Sequence, residues 1–264
     1  MSVRPHPFFS GALFARKSCF VYLPEDYESN DRSYPVIYLL HGMYGSESHW
    51  LMKGSAEQTL DRMIAEGSLR PSIVVMPSDG GYGHGTFYMN WYNGAGSFED
   101  YFIYDLIPEI DKSFRTLTDA RHRAVGGLSM GGFGAFSLAL RHPHLFGAAA
   151  SLSGALTSTE MIAQQYSRTD VAQMIGPLHG PYAREHDLQL LASRRGQEQQ
   201  RPALYFNCGT SDFLYGMNDS YAKHLQTIGY PFTYEQYAGE HTWDYWSEHL
   251  PDALAFIESQ FAKA

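Results

Sequence analysis

The chain has 264 residues, 44 % of them hydrophobic and 18 % charged, and carries a net charge of −9. That length and apolar content suit one large α/β domain with a packed core; the acidic balance, with no basic patch, argues against nucleic acid as a partner, and no apolar run reaches the roughly 18 residues of a membrane-spanning helix. Cys19 and Cys208 form no disulfide framework, and the N-terminal MSVRPHPFFSGALFARKSCF has too broken an apolar stretch for a secretory signal, so the cytoplasm is the expected compartment.

In chain order, CFVYLP alternates, with Phe20 and Tyr22 on one face and Val21 and Leu23 on the other, and predicts an antiparallel strand. Val36 to Leu40 in YPVIYLLHG is a continuous apolar run, as expected of a strand buried on both faces. PSIVVMP, AAASLS and PALYFNCG have the same character. Between them, SAEQTLDRMIAEG reads as a helix from a capping-box-like Ser55 to Gly67. SFEDYFIYDLIPEIDKSF carries apolar residues at Phe98, Phe102, Leu106 and Ile110, and GAFSLALRHP runs to a histidine–proline stop. MNDSYAKHLQTIGY and TWDYWSEHLPDALAFIESQF complete the helices. Strands alternating with helices imply a mostly parallel sheet covered on both faces. From about Leu156 to Gln200 no strong strand appears, and SRTDVAQMIG and REHDLQLLASRRG read as short helices. The expectation is a single domain, residues 1–264, with 156–200 as a helical insertion over one end of the sheet that shapes the acyl or alcohol site.

VGGLSMGGFGAFSLAL, Val125 to Leu140, crowds glycines around one serine. Gly127-Leu128-Ser129-Met130-Gly131 is G-x-S-x-G, placed between the strand RAVGG and a helix, the context of a nucleophile elbow. There the serine occupies a sharp turn with strained backbone angles, and small residues two positions away avoid the adjoining strand and helix. Ser129 is therefore the candidate nucleophile, and the Met130 N–H, at the helix N-terminus, a candidate oxyanion donor. A serine in such an elbow takes its partners in the chain order serine, acid, histidine. His241 follows the alternating PFTYEQY, in a loop before a helix, and is the candidate base; His249, on that helix, reads as solvated. Asp212 follows the strand in ALYFNCGTSDFLYG and is the candidate acid, with Asp219, read as a helix cap, and Asp187 as rivals. In LLHGMYGSESHW, Gly42 permits a close backbone approach, the Met43 N–H is the second candidate donor, and His41 supports the loop. GGYGHGTFYMNWYNG looks too glycine-rich and polar for buried core and is expected to approach the site; Gly42, Trp50, Tyr92 and Tyr215 are the candidate substrate-binding residues. No metal and no cofactor is expected.

YLLHGMYGSESHW, GLSMGGFGAFSLAL, CGTSDFL and GEHTWDYW, in this order from roughly Phe20 to Phe261, resemble the esterase D-like group of α/β-hydrolases. That group includes feruloyl and acetyl esterases, short-chain carboxylesterases, S-formylglutathione hydrolases and mycolyltransferases. The resemblance implies an α/β-hydrolase fold with Ser129 as nucleophile, Asp212 as acid, His241 as base, and Met43 and Met130 as oxyanion donors. LLHG followed by GLSMGG is closer to the feruloyl and short-chain esterase branch; S-formylglutathione hydrolases tend to carry a histidine where Leu128 stands. The expected activity is hydrolysis of short-chain acyl or aryl esters through an acyl-enzyme, with a small-molecule ester as partner and the oligomeric state left open. The alternatives are a thioesterase or acyltransferase using the same triad and, less favoured because the triad is intact, a non-catalytic binding protein.

Overall fold

A computed structural model describes residues 2–81, 83–165 and 171–263. Its strands are β1 (Ser2–Ser10), β2 (Ala15–Leu23), β3 (Val36–Leu40), β4 (Ile73–Pro77), β5 (Arg123–Leu128), β6 (Ala148–Leu152), β7 (Ala203–Gly209) and β8 (Phe232–Tyr237). They form one sheet in the order β1-β2-β4-β3-β5-β6-β7-β8. β1 pairs antiparallel with β2 and β2 antiparallel with β4, while the pairs from β4 to β8 are parallel. β1 has no counterpart in the sequence reading. Its Pro5 and Pro7 argue against an internal strand, and an edge strand is where a missing N–H is tolerated.

The helices are α1 (His49–Met52), α2 (Ala56–Ala65), α3 (Phe98–Asp100), α4 (Ile107–Ser113), α5 (Met130–Arg141), α6 (Thr159–Gln165), α7 (Val171–Ile175), α8 (Pro181–Glu185), α9 (Leu188–Arg195), α10 (Tyr215–Thr227) and α11 (Trp243–Phe261). All five residues of β3 are buried, Val36, Tyr38 and Leu40 in the core under α4, α5 and α10, Ile37 and Leu39 in the core under α2 and α11. This is the double burial that a continuous apolar run requires. A π-helical segment, Tyr101–Leu106, joins α3 to α4. The recurrence of Phe98, Phe102, Leu106 and Ile110 every four residues is wider than the 3.6 of an α-helix, and the under-wound segment keeps all four buried.

Two local expectations are corrected. Ser55 precedes α2 with φ 48° and makes no side-chain capping bond, so no capping box forms. The segment Phe87–Met89 is fully buried core, because its rings turn inward beneath α5. Of the segment expected as an insertion, the described part is 156–165 and 171–200, with α6 to α9; residues 166–170, which include part of SRTDVAQMIG, lie outside the described residues.

The register decides where the site forms. Leu40 lies beside Gly127, Leu128 beside Leu152, and Gly209 beside Tyr237. The chain leaves β3, β5, β7 and β8 at one edge of the sheet, with β4 and β5 on opposite sides of β3. That is a switch point of the strand order, where open α/β sheets leave a crevice.

Candidate active site

Ser129 links β5 to α5 with φ 54° and ψ −119°, a region non-glycine residues rarely adopt. The neighbouring glycines explain how the turn is held. A Cβ on Gly127 would lie 2.4 Å from Gly131 O, and one on Gly131 would lie 2.5 Å from Leu40 O. Both clashes are with backbone, which cannot swing aside, so the positions two before and two after the serine admit no side chain. The Ser129 N–H donates to Leu152 O at 3.0 Å, and Ser129 O accepts from the N–H groups of Gly132 and Ala155. The hydroxyl is left at the carboxyl edge of the sheet.

His241 and Asp212 arrive from loops laced together by backbone. Thr210 N–H donates to Tyr237 O at 2.8 Å and Ser211 N–H to Gly239 O at 2.9 Å. Thr242 caps α11, its side chain accepting from Tyr245 N–H, which fixes the residue just before it. Asp212 is buried; its Oδ1 accepts from Leu214 N–H at 2.7 Å, and its Oδ2 lies 2.8 Å from His241 Nδ1. His241 Nε2 lies 2.9 Å from Ser129 Oγ. Because a carboxylate only accepts, Nδ1 carries the proton and Nε2 faces the hydroxyl as an acceptor. The imidazole is held edge-on to Trp246, with ring centroids 4.8 Å apart, and against Phe213 at 4.5 Å. Residues far apart in sequence thus form a continuous hydrogen-bond chain from carboxylate to imidazole to hydroxyl.

The rivals are placed elsewhere. Asp219 is not a helix cap: it lies within α10 and pairs with Lys223 on the same helix at 2.7 Å. Asp187 caps α9. His249 is buried rather than solvated, bonded to Asp252 and stacked on Tyr237 at 4.0 Å. Cys208 lies in β7 near Asp212, and burial pushes its thiol up to about 12, which leaves it protonated and a poor nucleophile. Among the described residues, no group of three or more His, Cys, Asp or Glu side chains is arranged to hold a metal ion.

Above the hydroxyl is a cleft of about 440 Å³ lined by Gly42, Met43, Tyr44, Gly45, His49, Lys53, Leu128, Ser129, Phe213, His241, Trp243 and Trp246. A Cβ on Gly42 would lie 3.3 Å from Ser129 Cβ, so the Gly42–Met43 backbone closely adjoins the serine. Met130 opens α5, where the first N–H groups have no intrahelical acceptor. Burial, with the nearby Lys53 charge, lowers the pKa of His49, so on that wall Lys53 rather than His49 carries positive charge at neutral pH.

Of the four expected substrate-binding residues, Gly42 lines this cleft. Trp50 is buried behind it, its indole N–H bonded to Leu40 O and its ring edge-on to Trp243 at 5.6 Å. Tyr92 packs on Tyr182 and Gly176, and Tyr215 bonds Gln236. No described residue of 156–200 lines the cleft; residues 166–170 of the expected insertion lie outside the described residues. Tyr44, Phe213, Trp243 and Trp246 line it instead, and the two tryptophans stand three apart shortly after His241 in HTWDYW. That i, i+3 pair at the start of a helix beside the base was the signal available in the sequence.

Among known proteins, a family model described as "Putative esterase" matches residues 10–257. An endo-1,4-β-xylanase/feruloyl esterase of Xylanibacter ruminicola is 38 % identical over 164 residues, 59 % of this chain and 22 % of that protein. An acetyl esterase of Caldicellulosiruptor saccharolyticus is 26 % identical over 274 residues, 97 % of this chain and 98 % of that one. The chain therefore spans about a fifth of the first relative and nearly all of the second. A solved ferulic acid esterase superposes with a TM-score of 0.85 at 28 % identity, covering 98 % of both chains. A solved S-formylglutathione hydrolase from Staphylococcus aureus, at 23 % identity with a TM-score of 0.79 over 97 % of this chain and 98 % of that one, shares the fold. The architecture is that of the α/β-hydrolases, as the motifs implied.

Proposed function

This chain belongs to the Esterase family, and we propose that it is a serine carboxylesterase acting on short acyl and aryl esters, with Ser129 as nucleophile, His241 as base and Asp212 as acid. The observation that carries the reading is the chain of two short contacts, 2.8 Å from Asp212 Oδ2 to His241 Nδ1 and 2.9 Å from His241 Nε2 to Ser129 Oγ. Ser129 Oγ attacks the ester carbonyl as its proton passes to His241 Nε2. Asp212 holds the imidazole in the tautomer this needs and stabilises the imidazolium that forms. The tetrahedral oxyanion is met by the N–H groups of Met43 and Met130. Collapse expels the alcohol, which takes the proton from His241, and leaves an acyl-serine. Water, deprotonated by His241, attacks the acyl-serine; a second collapse releases the carboxylic acid and returns the proton to Ser129.

The substrate class rests on the cleft and the relatives. Tyr44, Phe213, Trp243 and Trp246 give it aromatic walls, and its volume of about 440 Å³ suits a compact group rather than a long tail. Relatives named acetyl esterase and feruloyl esterase support acetyl and hydroxycinnamoyl esters as the acyl range. The test is turnover of p-nitrophenyl acetate and methyl ferulate, with the products analysed with and without added alcohol, and peptide mapping after fluorophosphonate labelling. Hydrolysis with the label on Ser129 is expected. A label on Ser153 or Ser211 would overturn the assignment, and transfer to the alcohol in preference to water would make the protein an acyltransferase.

A further inference from the structure

An oxyanion hole works only if its N–H groups already point at the place where charge develops. The two donors proposed above lie on separate stretches of chain, Gly42–Met43 after β3 and Met130 at the start of α5. One loop, described at residues 79–81 and 83–88, reaches both. It is joined to the first through His41, whose side chain is buried and whose two ring nitrogens are both engaged. Nε2 lies 3.1 Å from Asp79 N and Nδ1 lies 2.8 Å from Gly42 O. An amide N–H can only donate and a carbonyl can only accept, so Nε2 accepts from Asp79 and the Nδ1–H donates to Gly42 O. Gly42 O and Met43 N belong to the same planar peptide group. A bond that pins that carbonyl therefore sets the direction of the Met43 N–H. The Gly45 N–H bonds the same oxygen at 3.1 Å, and the Tyr88 hydroxyl donates to His41 O at 3.0 Å. Burial holds the Tyr88 phenol well above its ordinary value, so it stays a donor.

The same loop meets the second donor. Phe87 N–H bonds the thioether sulfur of Met130 at 3.4 Å, and the Phe87 ring packs edge-on against Phe133 in α5 with centroids 5.4 Å apart. Tyr88 lies over Gly134, where an added Cβ would come within 2.4 Å of the ring. Phe87 and Tyr88 are consecutive, bulky and both left-handed, at φ 56° and 55°. Such a pair persists only where its surroundings over-determine it. The surroundings do: the Asp79 carboxylate accepts from Gly81 N–H at 3.0 Å and Thr86 N–H at 2.9 Å, and the Thr86 hydroxyl donates to Asp79 O at 3.0 Å and accepts from Tyr88 N–H at 3.1 Å.

We propose that Asp79 and Thr86–Tyr88, tied to one another in this loop, form the brace that aims both oxyanion donors, with His41 as the positioning residue that carries its alignment to the Met43 N–H. The proposal rests on the serine esterase reading. It goes beyond loop support, because it ties His41 to the transition state rather than to the fold alone.

The test compares His41→Ala, His41→Asn, His41→Gln and Tyr88→Phe in the full chain. The readouts are kcat and KM for p-nitrophenyl acetate, the inhibition constant of phenylboronic acid, which forms a tetrahedral adduct on the serine, and the urea midpoint. His41→Ala is expected to lower kcat about 10- to 100-fold at nearly constant KM and to weaken the boronic acid by a matching factor. Asparagine places an amide N–H where Nδ1 stood and recovers most of the loss; glutamine, which matches Nε2 instead, does not. Tyr88→Phe loses roughly three- to tenfold with the same split. Lowered stability with kcat and boronic acid affinity unchanged per folded molecule would reduce His41 to a structural residue and overturn the proposal. Rescue by glutamine in place of asparagine would do the same. Where His41→Ala fails to fold, equal kcat for the Asn and Gln variants, or an unchanged kcat for Tyr88→Phe, overturns it. If the esterase reading itself is wrong, the unsubstituted protein turns over no ester and binds no boronic acid, an outcome distinct from any variant effect.

Discussion

At the scale of single residues, the site depends on protons being held where they are needed. Asp212 is buried and bonded at both carboxylate oxygens, to Leu214 N–H and to His241, so its orientation has no slack. Asp219, seven positions later, spends its charge on Lys223 at the surface of α10. Substitution should separate the two sharply. Ser129→Ala is expected to lower kcat by about 10⁶ and Asp212→Asn by about 10³ to 10⁴, whereas Asp219→Asn stays within about twofold. Steady-state kinetics on p-nitrophenyl acetate, with circular dichroism as the control for folding, checks this. A crippling Asp219→Asn beside a mild Asp212→Asn would move the acid.

At the scale of elements, the elbow is a backbone-on-backbone contact between β3, β5 and α5. Gly131 sits where a Cβ would meet Leu40 O at 2.5 Å and His41 O at 2.6 Å. Gly131→Ala must therefore push α5 off the end of β3. A loss of about 3 kcal/mol or more is expected, the upper end of overpacking costs, with activity falling beyond the loss of folded protein; urea titration alongside kcat measures both. A second element-scale device is Glu99 at the start of the α3–π–α4 segment. Its buried carboxylate receives Arg141 Nε at 2.8 Å and His142 Nε2 at 2.7 Å, and lies 3.5 Å from His186 Nε2, tying this segment to the end of α5 and to α8. Burial alone would raise its pKa; the hydrogen bond from His142, the nearby His186 ring and the Arg141 charge outweigh burial and hold the carboxyl well below the usual range. A group whose folded pKa is depressed contributes stability above its unfolded value and loses it as pH falls. Glu99→Gln should accordingly cost about 3 kcal/mol at pH 7. The gap between variant and parent should close progressively as pH drops below about 4.3. Urea midpoints from pH 7 to pH 3 read this directly, and a gap that widens on acidification would contradict it.

At the scale of the whole molecule, the aromatic cleft over Ser129 sets what can be bound. Among the described residues no helix is long and apolar enough to cross a membrane, and none of the described residues of 156–200 forms a wall of the cleft. A deep apolar tunnel would raise affinity by about 0.8 kcal/mol, roughly fourfold, for each added methylene. A cleft of about 440 Å³ walled by rings should instead show an early maximum. For p-nitrophenyl esters from acetate to palmitate, kept below the micellar limit, kcat/KM is expected to peak between acetate and butyrate. A peak at decanoate or beyond would sink the short-acyl reading.

What the sequence determined by itself was local. Continuous apolar runs, the glycines around Ser129, the placement of His241 after an alternating strand and Asp212 after a buried one are statements about neighbours in the chain. They were enough to read the parallel sheet, the elbow and the residues that come together at its edge. What only the tertiary structure decided depends on which distant surfaces meet. Pro5 and Pro7 hid a strand that is tolerated because it falls at the sheet's edge. Trp50 and Trp243 are equally aromatic in sequence, but they meet edge-on with Trp50 buried, so Trp243 lines the cleft and Trp50 supports it. The glycine-rich stretch around Phe87 reads as an exposed loop because its composition is that of a loop. It is buried because two left-handed residues fold its rings under α5, and no one-dimensional pattern records a backbone conformation held by contacts made forty residues away.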